Sequence, residues 1–147
     1  MALEDKAEDE VQIRELIEKK LKAVRAKDIE GATSDYAPDV LSFDVVNPLR
    51  YMGVDEIRKR LKDWFSSFEG SIGLELRDLS ITVGDAVAFS HCFSHVSATT
   101  TDGRILDMWW RETACYRKID GRWLVTHQHS SVPFDVETGK ASLDLQP

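Results

Sequence analysis

A chain of 147 residues suits one domain around one core, and 42% hydrophobic with 31% charged residues is an ordinary globular composition. The formal net charge of -7 argues against nucleic acid, whose phosphates demand a basic stripe. No apolar run is long enough to cross a bilayer, so no membrane is expected as a partner.

In chain order, Val11, Ile13, Leu16, Ile17, Leu21 and Val24 recur at helical spacing between Glu4 and Lys27. Acids crowd the start of this segment and bases its end, the order that complements a helix dipole. Asp28 is placed to cap a short second helix running to about Tyr36 and ended by Pro38. Val40 to Val46 reads as a short strand. A third helix is expected from Val54 to Phe68, with Ile57, Leu61, Trp64 and Phe68 on one stripe. The cluster Arg58-Lys-Arg60 with Lys62 reads as the solvated face of that helix.

After Gly70 the period turns from helical to alternating. Ile72, Leu74 and Leu76 share one parity, whereas Leu79, Ile81 and Val83 take the other. This phase slip at Arg77-Asp78 predicts a β-bulge, which bends a long strand. Gly84-Asp85, Asp102-Gly103 and Asp120-Gly121 are turn signals spaced for antiparallel pairing. The expected class is α+β: three N-terminal helices packed on a strongly bent antiparallel sheet. Such a sheet roofed by helices leaves a cone-shaped hollow, and concave apolar sites are where small molecules bind. The start, Met1-Ala-Leu-Glu-Asp, lacks the basic and apolar regions of a secretion signal. Cys92 and Cys115 sit mid-strand in no metal-binding spacing, and read as buried reduced thiols in a cytoplasmic protein.

The segments Ala26-Lys-Asp28, Tyr36-Ala-Pro-Asp-Val40, Phe43-Asp44 and Gly53-Val-Asp-Glu-Ile57 form a set with a later run. That run goes from Arg111-Glu-Thr through Asp120-Gly-Arg-Trp123 to His127-Gln-His-Ser. Together they resemble nuclear transport factor 2-like proteins of the ketosteroid isomerase and polyketide cyclase (SnoaL-like) kind, over nearly the whole chain. The last run also resembles the association domain of calcium/calmodulin-dependent kinase. The resemblance implies a cone-shaped, cystatin-like fold in a single domain over residues 1–133, with 134–147 as a C-terminal tail. It spans isomerases, cyclases, dehydratases, hydrolases and non-catalytic assembly domains.

Carried over residue by residue, the resemblance puts Asp44 where the isomerases keep their carboxylate base. A carboxylate in an apolar hollow loses solvation and can then move protons near neutral pH. The isomerases' tyrosine oxyanion donor is matched by Lys20, and their protonated aspartate falls near Thr113, so steroid isomerisation is not expected. The arginines that line the kinase domain's cavity are matched by His91, Ala114 and Ser130.

The faces of the last hairpin depend on its turn. A two-residue turn at Asp120-Gly121 would set Ala114 on the side of His127. A type I turn over Ile119-Asp-Gly121 shifts the register by one, and the resemblance favours this form. Trp110, Glu112, Ala114 and Tyr116 then face the cavity with Ser130, Gln128, Thr126 and Leu124. Trp109, Arg111, Thr113, Val125, His127 and His129 lie outside, with His129 opposite Arg111 and His127 opposite Thr113.

The expected function is binding of a compact apolar carbonyl or hydroxyl compound, with acid–base chemistry of isomerase, cyclase or dehydratase type. Asp44, Glu112 and His91 are the candidate catalytic groups, and Tyr36, Trp64, Phe68, Trp110, Gln128 and Ser130 the candidate ligand contacts. Glu112 is either a buried acid or the partner of a base such as Lys20 or His91, and Asp44 is either the catalytic base or a solvated strand-end carboxylate. No cofactor is implied. His127 and His129, two apart on a strand, have the spacing for joint metal binding. The facing Arg111 and the apolar surroundings point instead to a homodimer contact at Trp109, Arg111, His127 and His129. The alternative is a non-catalytic oligomerisation or ligand-binding module.

Overall fold

A computed structural model describes residues 3–147, so the first two residues of the start sequence lie outside the described residues. The elements run α1 (Leu3–Arg25), α2 (Ile29–Thr33), β1 (Tyr36–Phe43), β2 (Tyr51–Met52), α3 (Val54–Ser66), β3 (Phe68–Val83), β4 (Val87–Thr100), β5 (Ile105–Ile119) and β6 (Arg122–Ser131). The strands form one sheet in the order β2-β1-β6-β5-β4-β3, and the helices roof one of its faces. Among the described residues no helix is long and apolar enough to cross a membrane.

Helix α1 carries Glu4 and Asp5 in its first turn and Lys22 and Arg25 in its last, and its stripe of Ile13, Leu16, Leu21 and Val24 is buried. Each end is tied to the sheet. Near the start, the buried Asp9 accepts hydrogen bonds from Trp123 Nε1 (3.0 Å) and Lys118 Nζ (3.1 Å). At the far end the Arg25 guanidinium donates twice to the carbonyl of Leu74 (2.9 and 2.7 Å). Asp28 caps α2 as expected, accepting from the Gly31 N–H at 3.0 Å.

Helix α2 is a single turn that ends at Thr33, and Tyr36 already belongs to β1, with Pro38 inside the strand. Tertiary pairing explains this departure. β1 runs parallel to β6, pairing Tyr36 with Val125 and then Leu41 with His127, with an irregularity between them. On its other side β2 reaches only Leu41 and Ser42. Pro38 therefore falls where no ladder needs its missing N–H. The parallel β1–β6 pair makes the sheet mixed, where the sequence suggests a purely antiparallel one. α3 stops at Ser66, so Phe68 opens β3 instead of ending the helix.

The expected bulge in β3 is present: its register against β4 slips between Arg77 and Ser80, and Asp78 takes φ 57°. In the last hairpin Ile119 pairs with Arg122 across a two-residue turn in which Asp120 (φ 51°) and Gly121 (φ 78°) are both left-handed. The three-residue turn is thus not formed. A second slip, between Cys115 and Tyr116, pairs Tyr116 with Val125 but Cys115 with His127, leaving Thr126 as the extra residue. The slip restores the expected facing beyond it, with partners moved by two: His129 lies opposite Thr113 and His127 opposite Cys115. Nearer the turn the facing changes, so Val125, expected outside, is buried in the core beside Tyr116.

The core has two clusters. One joins Val24, Phe65, Phe68, Ile72 and Val96; the other joins Ile13, Val40, Ile57, Tyr116 and Val125. Ile17 and Leu61 pack against both. The cavity lies between these clusters and is lined by both. Beyond β6 the chain folds back through a bridge between Phe134 and Ala141, and residues 134–147 are almost all exposed.

Candidate active site in the cone

The cavity between helices and sheet has a volume of about 360 Å³. Its walls are mostly apolar, with Leu16, Leu61, Trp64 and Trp110 among them. The polar groups come in rows across the sheet, because alternation sends the even-numbered residues of β4, β5 and the outer half of β6 inward. In one row Cys92, Glu112 and Ser130 are direct neighbours; in the next, Ser90, Ala114, Gln128 and Ser42. Ala114 is the small member of that row, and α1 lowers Lys20 toward it. Lys20 follows Leu16 and Ile17 by four and three residues, so it shares their inward face.

Both ends of the Gln128 amide are engaged, and one Nε2 hydrogen is left over. Its Oε1 accepts from the Tyr36 hydroxyl (2.7 Å) and from Lys20 Nζ (3.2 Å), and its Nε2 donates to Ser42 Oγ (3.0 Å). The Lys20 ammonium also lies over the Tyr36 ring, 5.0 Å from its centroid, within cation–π range. Burial alone would lower the pKa of Lys20, but Tyr36 and the Glu112 carboxylate outweigh it and the net direction is upward. The ammonium is therefore a permanent charge of the cavity at neutral pH.

Glu112 is held loosely. Ser94 Oγ approaches its Oε2 and Ser130 Oγ its Oε1, each at 3.5 Å, and the Cys92 thiol lies 4.0 Å from Oε2. Burial, with the Glu112 charge beside it, pushes the Cys92 thiol up to about 11. Burial likewise pushes Tyr116 up to about 12, although its hydroxyl lies 2.8 Å from Ser90 Oγ. Asp44 sits at the rim. Its Oδ2 accepts from Arg60 Nε (3.2 Å) and its Oδ1 from the Val45 N–H (2.6 Å), and about a quarter of each paired side chain is exposed (24% for Asp44, 23% for Arg60).

The cavity thus brings together Tyr36, Asp44, Trp64, Trp110, Glu112, Gln128 and Ser130 from the residues expected of it. Two expected members are elsewhere. His91 is exposed on the opposite face of the sheet, because β4 turns Ser90, Cys92 and Ser94 inward and Phe89, His91, Phe93 and His95 outward. Phe68 is core, packed edge-on behind Trp64 with centroids 5.3 Å apart. Thr113, the other position matched to an oxyanion donor, also faces outward and is exposed. Arg60 departs from the solvated face proposed for its cluster and reaches Asp44. Lys20, expected as a partner of Glu112 reaching into the cone, lines the cavity, and Ser42, Cys92 and Ser94 join the site without having been placed there.

On the outer face His95 stacks on Trp109 (4.5 Å, 8° between planes) and hydrogen-bonds Asp107 at 2.8 Å. His127 donates from Nδ1 to the Leu41 carbonyl (2.7 Å), and both His127 and His129 meet the edge of Phe43. Among the described residues no three His, Cys, Asp or Glu side chains are grouped to hold a metal ion. Cys92 and Cys115 are free thiols, each half-buried and not fully buried.

Residues 13–135 match the model of the SnoaL-like domain. No curated protein matches the chain. An NTF2-like protein of unknown function from Pseudomonas putida KT2440 is 32% identical, over 100% of this chain and 99% of that one, with a TM-score of 0.86. A candidate dehydratase of the NTF2-like family from Streptomyces avermitilis is 16% identical, over 86% of this chain and 97% of that one, with a TM-score of 0.75. The association domain of C. elegans CaMKII is 16% identical, over 86% and 98%, with a TM-score of 0.66. At such identities the last two likenesses are of fold alone. The helix-roofed bent sheet, the match across its length and the Pseudomonas relative agree: this chain belongs to the SnoaL-like domain family and has the NTF2-like, cystatin-like fold.

Proposed function

We propose that the protein binds a compact apolar carbonyl or hydroxyl compound in the cone and moves a proton on it, as an isomerase, cyclase or dehydratase does. The observation that carries this reading is Glu112, a carboxylate inside an apolar cavity whose polar neighbours all stand at 3.5 Å or more. A general base must have a free lone pair within reach of the substrate proton. Glu112 meets that requirement better than Asp44, whose two oxygens are taken by Arg60 and the Val45 N–H. In this reading Glu112 carries the proton, Lys20 and Gln128 face the substrate oxygen, and Trp64 and Trp110 hold its apolar body. Asp44, with Arg60, is the polar group at the rim.

A thermal-shift screen of small ketones, phenols and polyketide-like aromatics tests binding, since a ligand of the native state alone raises the melting temperature. At least one class should produce a shift that Trp110→Phe alters. With such a ligand, Glu112→Gln should keep the shift but abolish turnover, whereas Asp44→Asn should retain much of it. No shift with any class would favour a non-catalytic module. One observation supports that second reading: the outer sheet face exposes Phe89 (44%) and, farther along the same strand, carries the Trp109–His95 stack. In it, a second copy of the chain covers this face through Trp109, Arg111, His127 and His129.

A further inference from the structure

We infer that Arg60 binds an anionic group of the ligand, so that the cavity takes an apolar carboxylic acid with its carboxylate held at the rim. The inference rests on the small-molecule reading above and names the class of ligand.

Helix α3 carries four basic residues, and three of them face outward. Lys59 and Lys62 are exposed, and Arg58 pairs with Glu30 and Asp55. Arg60 differs. It follows the buried Ile57 by three residues and precedes Trp64 by four, so it shares their inward stripe and lines the cavity. Asp44 holds it by one edge only. Arg60 Nε donates to Asp44 Oδ2 at 3.2 Å, and the other oxygen of Asp44 accepts from the Val45 N–H at 2.6 Å. A guanidinium has five N–H donors, four of them on Nη1 and Nη2. Among the described residues those four meet no acceptor. The end of the fork, which can take both oxygens of a carboxylate, is therefore open. Asp44 fixes the plane in which it is offered.

The place of this pair decides which anion suits it. Phe43 pairs with His129, so Asp44 continues the row of Ser130, Glu112 and Cys92 on the neighbouring strands. Two strand spacings, roughly 10 Å, separate Asp44 from Glu112. Charged groups thus stand at two places in a mostly apolar wall: Arg60 with Asp44 at the rim, and Lys20 with Glu112 farther in. Lys20 is the poorer seat for a carboxylate. Its ammonium already engages Gln128 Oε1 and Tyr36, and the Glu112 charge offsets its own. A carboxylate carried wholly into the hollow would also lose all its water, at high cost. At the rim it keeps part of that water, because 23% of the Arg60 side chain is exposed. Its apolar body can then lie against Trp64 and Trp110. The Asp44 charge beside the guanidinium repels added charge, which favours a monoanion over a phosphate dianion.

The test uses the intact protein with 2-naphthoate, its neutral counterpart 2-naphthamide, and naphthalene, by calorimetric titration at neutral pH and low salt. 2-Naphthoate should bind at least about tenfold tighter than 2-naphthamide. Arg60→Gln should bring the two within about twofold while naphthalene binds as before. Arg60→Lys, which keeps the charge but loses the fork, should restore part of the preference. Lys20→Met should leave the preference in place. Equal binding of naphthoate and naphthamide by the wild type, a preference that survives Arg60→Gln, or its loss in Lys20→Met would each overturn the inference. Should Arg60→Gln fail to fold, Arg60→Lys decides, since an undiminished preference there also overturns it. If naphthalene and naphthamide bind but naphthoate gains nothing, only the inference falls; if none of the three binds, the small-molecule reading falls with it.

Discussion

Asp9 is the residue on which the helix layer and the last hairpin depend together. It is 2% exposed, its Oδ1 accepts from both Trp123 and Lys118, and its Oδ2 is buried without a hydrogen-bond partner. Asp9→Ala leaves a buried indole N–H without an acceptor, which costs about 1–3 kcal/mol. Urea unfolding should show that loss, and Asp9→Asn, which keeps an acceptor oxygen, should lose less. The cavity side chains set the alkaline behaviour. Burial raises Cys92 from 9.0 to about 11 and Tyr116 from 10.0 to about 12, so the folded state keeps protons the unfolded chain has already released. The stability these two groups contribute is present in full below pH 9 and is lost as pH rises from 9 through 12. Tyr116→Phe should flatten the limb between pH 10 and 12 in a series of unfolding curves; an unchanged limb would remove Tyr116 as its source. At this scale the sequence was half legible. The resemblance set Glu112 and Gln128 on the cavity side, where they lie, and the same matching drew His91 inward, which the parity of β4 does not allow. Lys20 was offered as a partner of Glu112, but its bond to Gln128 could not be read until the facing row of the sheet was known.

The elements show why patterns of period 3.6 and 2 read well and pairings do not. α1, α3 and the bulge at Arg77-Asp78 followed from periodicity, since burial of one face fixes the period whatever the partner. Pro38 in β1 did not, because its tolerance depends on β2 being two residues long and on the irregular pairing with β6. The β5–β6 hairpin is the more instructive case. Its tight Asp120-Gly121 turn and the slip at Thr126 offset each other, so the faces of Glu112 and Gln128 come out as expected from a turn that is not there. Gly121 has φ 78°, where a Cβ is strained, so Gly121→Ala should cost about 1–2 kcal/mol even though nothing stands within 4 Å of the added methyl. Asp120→Asn, equally at ease in the left-handed region, should be close to neutral. Equal stability of Gly121→Ala and the wild type would mean that Gly121 is not held in the left-handed region.

For the molecule as a whole, the helices cover one face of the sheet and leave the other without a helix layer. That outer face carries Phe89, Phe93 and Phe43, the His95–Trp109 stack, and the edge-on pair His127 and His129. His127 already spends its Nδ1 proton on the Leu41 carbonyl, which fixes the ring as part of a surface. An aromatic face of this kind marks a site of association, and a second copy of the chain bound there would form a two-fold dimer. Charge then supplies a discriminating test. Each chain carries -7, so two copies repel at long range and salt screens that repulsion. A dimer held by apolar contact should tighten as ionic strength rises, whereas one held by ion pairs through Arg111 should loosen. Light scattering over a dilution series is expected to show a dimer that strengthens with salt. Trp109→Ala should weaken it, as should His127→Ala and His129→Ala to smaller degrees, while Trp110→Phe should leave it intact and change only the response to ligand. A monomer at every concentration, or a dimer indifferent to Trp109, would show that this face is covered by something other than a second copy.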